Sequence, residues 1–502
     1  MSGVRSKSQT KTKTWSFDTF QGLDSSRDIT SQDTGSNQHL AVLENACCDF
    51  RGQIERDAGA RLIDGQLPVS HVNFYGQSGI VYAETDGGGT HLRSSLGHEL
   101  RDVFETGNAI SSTVFNRRVC FVCRGGRMHS YDGAVFRPTE SRSMNILRPS
   151  FVTALQRRMA VAGLPGLETE VHISRVDNPD VFPNDEADGD VNVLRAGVID
   201  VANFIGSADR ITGLGCYETN RLVIFTSDQA LIYEIDPDIS NWRIDNSANI
   251  KVGCVSHNTI QPAGTDLLFC SRRGVHSIRR SAQNGIMLAS YTLSDKVDLL
   301  YRQLYRSVQD KTQINAVYDQ DRGQYHIFFP QPGGMLAKRL TLTIHPASEE
   351  GAPPSFSTGD FLGMRCGAFL DGMTVVGTTG GVYEIMAPDD EAPVTPDATI
   401  KTPFLWHGSL TEEKMTHSIT IQAAGRGVIE LDATDINGRD LGSLRFEIDA
   451  DTDDADNTGV ALSAQYERPW QRRYLAASYR IRIVESRGLV RLMGFAIKTI
   501  SE

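Results

Sequence analysis

Two cysteines three residues apart, in Cys120-Phe-Val-Cys123, have the spacing of a redox pair or of half a zinc site. Both fall inside an apolar run that reads as a strand, where positions i and i+3 point to opposite faces, and no second Cys or His pair accompanies them. They are expected to be buried core thiols. The other six cysteines, Cys47, Cys48, Cys216, Cys254, Cys270 and Cys366, are scattered, which in a chain of 502 residues reads as reduced thiols made in a cytoplasm rather than a disulfide framework.

Carboxylates gather in two stretches. "DADTDDADNTG" (Asp449 to Gly459) has the density of a calcium loop, but Asp454 and Val460 stand where an EF-hand needs Gly and Glu. "NDEADGD" (Asn184 to Asp190) is similar. Both are expected to be solvated loops, and Asp185, Glu186, Asp188, Asp190, Asp451, Asp453, Asp454 and Asp456 are candidates for lining an acidic passage. In "RPWQRRYLAASYRIRI", Trp470, Arg472, Arg473 and Tyr474 are candidate interface anchors, since Trp, Tyr and Arg dominate protein contacts; the plainer reading is an edge strand with cation–π support.

Catalytic patterns are missing. The 12 histidines form no HExxH or H-x-H cluster, and no Gly-x-Ser-x-Gly elbow occurs. The glycines of "GGGTH" and "GLPGLETE" belong to turns, because no helix follows to cradle a phosphate. Paired carboxylates for sugar hydrolysis are not singled out by any motif. The expectation is a non-enzymatic chain with no metal or cofactor.

The elements that must position these residues are strands. From about residue 40 the same shape returns about seven times: a β-branched or aromatic run, a Gly, Asp or Asn turn, and a second run. The copies are Gly79 to Ser95, Arg117 to Phe136, Arg157 to Val176, Asn220 to Asp236, Thr265 to Arg280, Gly323 to Ile344 and Asp371 to Ile385, with starts roughly 40–60 residues apart. One antiparallel blade cannot bury both faces alone, so this period predicts blades packed face to face around an axis. Between Tyr291 and Gln309, Val297, Leu300, Leu304 and Val308 share one helical face, with Ser294 and Asp295 placed to cap it. "APDDEAPVTPDAT" (Ala387 to Thr399) reads as a linker, and the clean alternation beyond it reads as an antiparallel sandwich. The expected fold is therefore all-β: a β-propeller of about six to eight irregular blades plus a C-terminal antiparallel β-sandwich, with one short inserted helix. Residues 1–40 are expected to be an arm, flexible or ordered on a neighbour, 41–390 the propeller and 391–502 the sandwich.

The net charge is −12, and the first fifteen residues carry Arg5, Lys7, Lys11 and Lys13 without an acid, so the body is more acidic than the total. That argues against a general nucleic-acid binder and suits a wall that DNA slides past without sticking. No apolar run is long enough to cross a bilayer, and the N-terminus has no apolar core of a secretory signal.

Several phrases, in order, resemble the tail nozzle (DNA-stabilisation or tail-tube B-type) proteins of short-tailed bacteriophages. They are "ENACCDFRGQIERDAGARLI", in which Asp57 and Ala58 replace the family's Pro, then "RRMAVAGLPGLETEVHISRVDNPDVF", "DRITGLGCYETNRLVIFTSDQALIYEI", "GTDLLFCSRRGVHSIRR" and "DQDRGQYHIFFPQ". The resemblance implies a homohexameric ring below the portal and adaptor that retains packaged DNA and lets it exit. It also implies a virion protein assembled in the host bacterial cytoplasm. Its partners would be copies of itself, a tail adaptor ring and tail fibres or spikes, with DNA passing through unbound and no membrane insertion. The alternative readings are a receptor- or glycan-binding tail-tip module and a propeller glycosidase.

Overall fold

In the computed structural model, the strand Arg118–Cys123 shows why blades form. Its alternate residues go to different neighbours: Val119, Phe121 and Cys123 pack with Val81, Ala83 and Leu92 of the preceding blade. Cys120 and Val122 pack with Val152, Met159 and Val161 of the following one. Arg221–Thr226 divides in the same way, with Leu222 and Ile224 on one side and Val223 and Phe225 on the other. A strand buried on both faces reads as an unbroken apolar run. Such runs are what recur along this sequence. The structure describes residues 11–26, 39–49, 51–75, 79–86, 89–95, 99–104, 109–155, 157–185, 194–206, 209–217, 220–245, 250–264, 266–278, 292–332, 336–344, 354–385, 394–408, 411–450 and 463–501.

The chain forms two units. The larger, residues 61–340 and 360–385, is the propeller. Six of its blades are self-contained antiparallel sheets. Five follow one another in sequence, with inner strands Val69–Tyr75, Ile110–Phe115, Phe151–Leu155, Ile211–Tyr217 and Gln261–Ala263. The sixth, Cys366–Leu370, Met373–Thr378 and Gly381–Ile385, takes its outer strand from Ala60–Asp64 at the beginning of the unit. Beginning and end of the ring are thereby joined without a free edge. Gly381 allows this closure: at φ +125° its backbone lies so near the partner strand that a Cβ would meet the Gly65 carbonyl oxygen at 2.7 Å. A further hairpin, Asn315–Asp319 and Gln324–Phe329, puts its first strand in the ring between Gln261–Ala263 and Cys366–Leu370. It packs Val317 and Phe328 on Val376 of the closing blade.

The inserted helix is Asp298–Ser307, in the connection between the blade ending at Val275–Ser277 and the hairpin at Asn315. It starts later than the sequence suggested, because residues 295–297 form a 3-10 turn. Ser294 does not cap it: its hydroxyl accepts from the Val275 N–H at 3.0 Å instead. The helix is fixed from inside by Tyr301, fully buried, whose hydroxyl donates to the Ser271 carbonyl at 2.6 Å.

The smaller unit comprises residues 1–60, 341–359 and 386–502. Its frame is one antiparallel pair of long strands, Lys414–Asp435 and Ala477–Ser501, paired along their length with four irregularities between Thr416 and Val428. Such bulges bend and twist a ladder. Around the bend the same two strands take different neighbours. Ser418 to Ala423 pair with Ala464–Pro469, and Phe495 to Ser501 with Lys11–Phe17. Gly425 to Thr434 pair with Asp440–Ala450, and Arg480 to Ile483 with Ala398–Lys401. The two halves share an apolar interior, where Tyr479 of one lies 6.0 Å from the ring of Phe495 in the other. The sandwich is thus one sheet folded upon itself.

Two expectations about domains are corrected. Residues 11–17 are not an arm: they pair strand to strand with the C-terminus of the same chain, Trp15 donating to Thr499 Oγ1 at 3.1 Å and Phe17 stacking on Phe495 at 4.7 Å. Nor does the smaller unit begin at 391, since it recruits residues before 60 and around 341–359. Both departures come from pairing between segments far apart in sequence, which leaves no local pattern.

Candidate binding site

In every blade the first strand begins, and the turn between second and third strands lies, at the same end of the propeller. Those two sets of positions surround a cavity of about 440 Å3. Ile110, Phe151 and Ile211 open their inner strands there, and residues 254–258 and 309–312 precede the next two. Arg124, Ser227 and Arg272 come from second-to-third strand turns.

The floor is held by hydrogen bonds between blades. A 3-10 turn, His257–Thr259, reaches inward, and Asn258 Nδ2 donates to the Ile110 carbonyl at 2.9 Å. Those residues belong to blades with two others between them on one side, so the bond spans the ring. Thr212 Oγ1 donates to the Cys254 carbonyl at 2.8 Å, and Ser256 Oγ to the Thr312 carbonyl at 2.9 Å. His257 Nδ1 accepts from the Leu214 N–H at 3.2 Å, and its ring lies 5.4 Å from that of Phe151. Burial pushes the His257 pKa down to about 4, so it is a neutral acceptor at neutral pH. Each of these groups is committed to structure, which leaves the floor rigid.

The walls carry the charge. Four basic residues, Arg124, Arg210, Arg272 and Lys311, line the cavity against Glu168 and Asp310. Two of these six are partly spent: Lys311 donates to the Tyr305 carbonyl at 2.6 Å and to that of Val308 at the helix end, and Asp310 accepts from the Thr312 N–H at 3.0 Å. Arg272 faces Asp228 at 3.9 Å in the open. Arg210 is exposed and its guanidinium has no partner among the described residues. Apolar wall is supplied by the half-buried rings of Phe151 and Tyr305. None of these was singled out in the sequence. The usable signal was their position, one residue outside an apolar run at the same end of each hairpin.

The residues that were singled out lie elsewhere. Cys120 and Cys123 are buried on opposite faces of one strand, and burial lifts Cys120 to about 12, which makes it an inert thiol. Asp185 is a structural carboxylate: it accepts from Ser141 Oγ at 2.6 Å and from the N–H groups of Ser143 and Phe182 at 2.9 Å, fixing a short helical turn at Arg142–Leu147. Glu186, Asp188, Asp190, Asp451, Asp453, Asp454 and Asp456 lie outside the described residues. Trp470 and Tyr474 are buried in their own unit, at 4% and 1% exposure, and so do not serve as surface anchors. Tyr474 hydrogen-bonds His407 Nδ1 at 2.9 Å, and Trp470 packs edge-on to Tyr479. Arg472 and Arg473 remain exposed. Among the described residues no group of three or more His, Cys, Asp or Glu could hold a metal ion.

No family model matches the sequence, and no curated protein does. Among solved structures, the chain is similar to the extracellular domain of a protein assigned as a hybrid two-component system of B. thetaiotaomicron, at 11% identity and TM-score 0.41. That match covers 88% of this chain and 63% of the other, so the chain spans under two thirds of that relative. The extracellular domain of a second such system from the same organism matches at 9% identity and TM-score 0.30, over 78% of this chain and 44% of that one. The exo-β-1,3-galactanase of Phanerochaete chrysosporium, solved with galactose, matches at 10% identity and TM-score 0.21, over 91% and 100% of the two chains. At these values none of the three carries an argument about what this chain does.

Proposed function

We propose that this chain is a non-enzymatic propeller module that binds a receptor or glycan, in the setting of a short-tailed phage tail tip. The observation that carries the reading is the cavity: about 440 Å3, within the ~300–1,000 Å3 usual for ligand sites, with a rigid floor and a wall of aromatic rings, hydroxyls and arginines. Glycosidic hydrolysis requires two cooperating carboxylates. Of the two that line the cavity, Asp310 is engaged in capping a turn, which supports binding without turnover. The test is calorimetric titration of the full chain with host cell-wall and surface polysaccharide fragments. Saturable binding without released sugar is the expected outcome. Absence of binding across the panel overturns the reading, and reducing ends appearing with time overturn its non-enzymatic part.

The second reading is the nozzle subunit, a wall around packaged DNA. What favours it is the ordered series of phrases from Glu44 to Gln331, together with the net charge of −12. On this reading the conduit lies between copies of the chain, because the propeller's own centre is spanned by the Asn258–Ile110 bond. The partners would be further copies in a hexamer, an adaptor ring, and fibres or spikes. Negative-stain images of the protein, alone and with an adaptor ring, decide it: closed rings support it, and monomers under both conditions sink it.

A further inference from the structure

The lining of the cavity has the opposite sign to the chain. In a protein of net charge −12, four basic side chains face two acidic ones around a single hollow. Solubility or repulsion of DNA asks for no such reversal, and a cluster of like charges destabilises a fold unless something else requires it. Lys311 is explained by the helix end it closes. Arg210 and Arg272 are not explained by structure. They come from adjacent blades, both are exposed at the cavity wall, Arg210 has no partner among the described residues, and the ion pair of Arg272 among them is a long one, 3.9 Å to Asp228.

We propose that the cavity selects an acidic sugar, a carboxylate-bearing ring of a surface polysaccharide, with the carboxylate held between Arg210 and Arg272. The inference rests on the binding reading above and gives its ligand a chemistry. Guanidinium groups pair bidentately with carboxylates. A sugar ring needs an apolar surface to stack on and neutral groups to meet its hydroxyls. Phe151 and Tyr305 offer the first, and Ser227 and Gln309, which line the same cavity, offer the second. The cavity has room for about one or two sugar rings. The floor does not supply recognition, since Asn258, Thr212 and Ser256 are spent on neighbouring carbonyls; it supplies a rigid base.

The experiment titrates the full chain with an oligogalacturonide, with its methyl ester, with a neutral galactan fragment and with inorganic phosphate. It repeats the first with Arg210→Ala, Arg272→Ala and, as a control remote from the cavity lining, Arg61→Ala. The expected result is that the free acid binds about tenfold or more tightly than its ester, and that either cavity substitution removes that preference while Arg61→Ala does not. The two arginines are exposed, so circular dichroism should show all variants folded. Equal affinity for acid, ester and neutral sugar overturns the acidic selectivity and leaves the binding module standing. Phosphate competing as well as the oligosaccharide overturns the sugar and leaves a bare oxyanion site. No binding by any ligand overturns both this inference and the reading beneath it.

Discussion

The two units of the molecule solve the problem of sheet edges in opposite ways. The propeller uses many short strands, its blade strands running from two to eight residues, and each pairs almost entirely with the strand next in sequence. Its core is divided into clusters between successive blades. The other unit uses two strands of 22 and 25 residues and gathers onto them segments from both ends and the middle of the chain. Its centre is a single group of large rings, Phe17, Phe20, Trp470, Tyr474, Tyr479 and Phe495. Local pairing spreads stability over many small interfaces, whereas remote pairing concentrates it in one.

Acid should separate the two most strongly. His71, His257 and His276 of the propeller are buried, and burial holds each near a pKa of about 4, while burial beside Arg339 and Arg322 also pushes His326 well below its ordinary value. Above about pH 6.5 these groups are neutral in folded and unfolded chain alike and stability is unaffected. Between about 6.5 and 4 only the unfolded chain binds the protons, so stability falls with pH, by about 1.4 kcal/mol per pH unit for each such histidine. Among the described histidines of the smaller unit, His407 has a comparable depression resolved, to about 3. Unfolding followed by tryptophan and far-UV signals from pH 7 to 4.5 should show the propeller lost first. If both units hold the same midpoint difference throughout, the contrast is wrong. His257→Gln should flatten the slope.

Core truncations come next. Phe269 is buried between blades, 4.7 Å from Phe225, and Phe495 is buried where the bent pair of long strands closes. Removing either ring should cost about 3–5 kcal/mol. Phe269→Ala should lower only the propeller's thermal transition and Phe495→Ala only the other. A common shift would mean that the two units unfold as one.

These elements also show what a sequence can disclose. Six of the seven hairpins seen in the repeat are the second and third strands of a self-contained blade, as in Arg221–Thr226 with Ala230–Glu234, Asp266–Cys270 with Val275–Ser277, and Met373–Thr378 with Gly381–Ile385. They were legible because they are buried on both sides and joined by short turns. The outer strands Phe136–Pro138 and Arg243–Ile244 are two or three residues long and partly exposed, and carry no periodicity to read. Blade closure by Ala60–Asp64 and the pairing of Lys11–Phe17 with the C-terminus join residues hundreds of positions apart, which composition does not record. The cavity was hidden for a related reason: it is made by short stretches at the starts of five strands and by turns after several others, each unremarkable until the ring brings them together.

Trp15 offers a smaller test on the remote side of the comparison. It is half-buried, bonds Thr499, leans on His407 at 5.6 Å, and carries the Lys13 ammonium 4.0 Å above its ring. Trp15→Ala should cost the smaller unit about 2 kcal/mol and make the first strand accessible to protease, with the propeller transition unchanged.

The smallest expected effect is the most discriminating. Asn258 to Ile110 is a bond between blades that are not neighbours, in a unit whose strand contacts run mainly between neighbours. If propeller stability is a sum over adjacent blades, Asn258→Ala should cost only about 1 kcal/mol, the ordinary worth of one hydrogen bond, and leave the cooperativity of unfolding untouched. If the 3-10 turn instead staples the ring, its loss should broaden the transition and speed amide exchange in Ile110–Phe115, with two blades between, before it affects the blade that carries Asn258. A sharp transition with unchanged exchange at Ile110–Phe115 would show that the propeller is held by its interfaces alone, and that the turn's role is to give the cavity a floor.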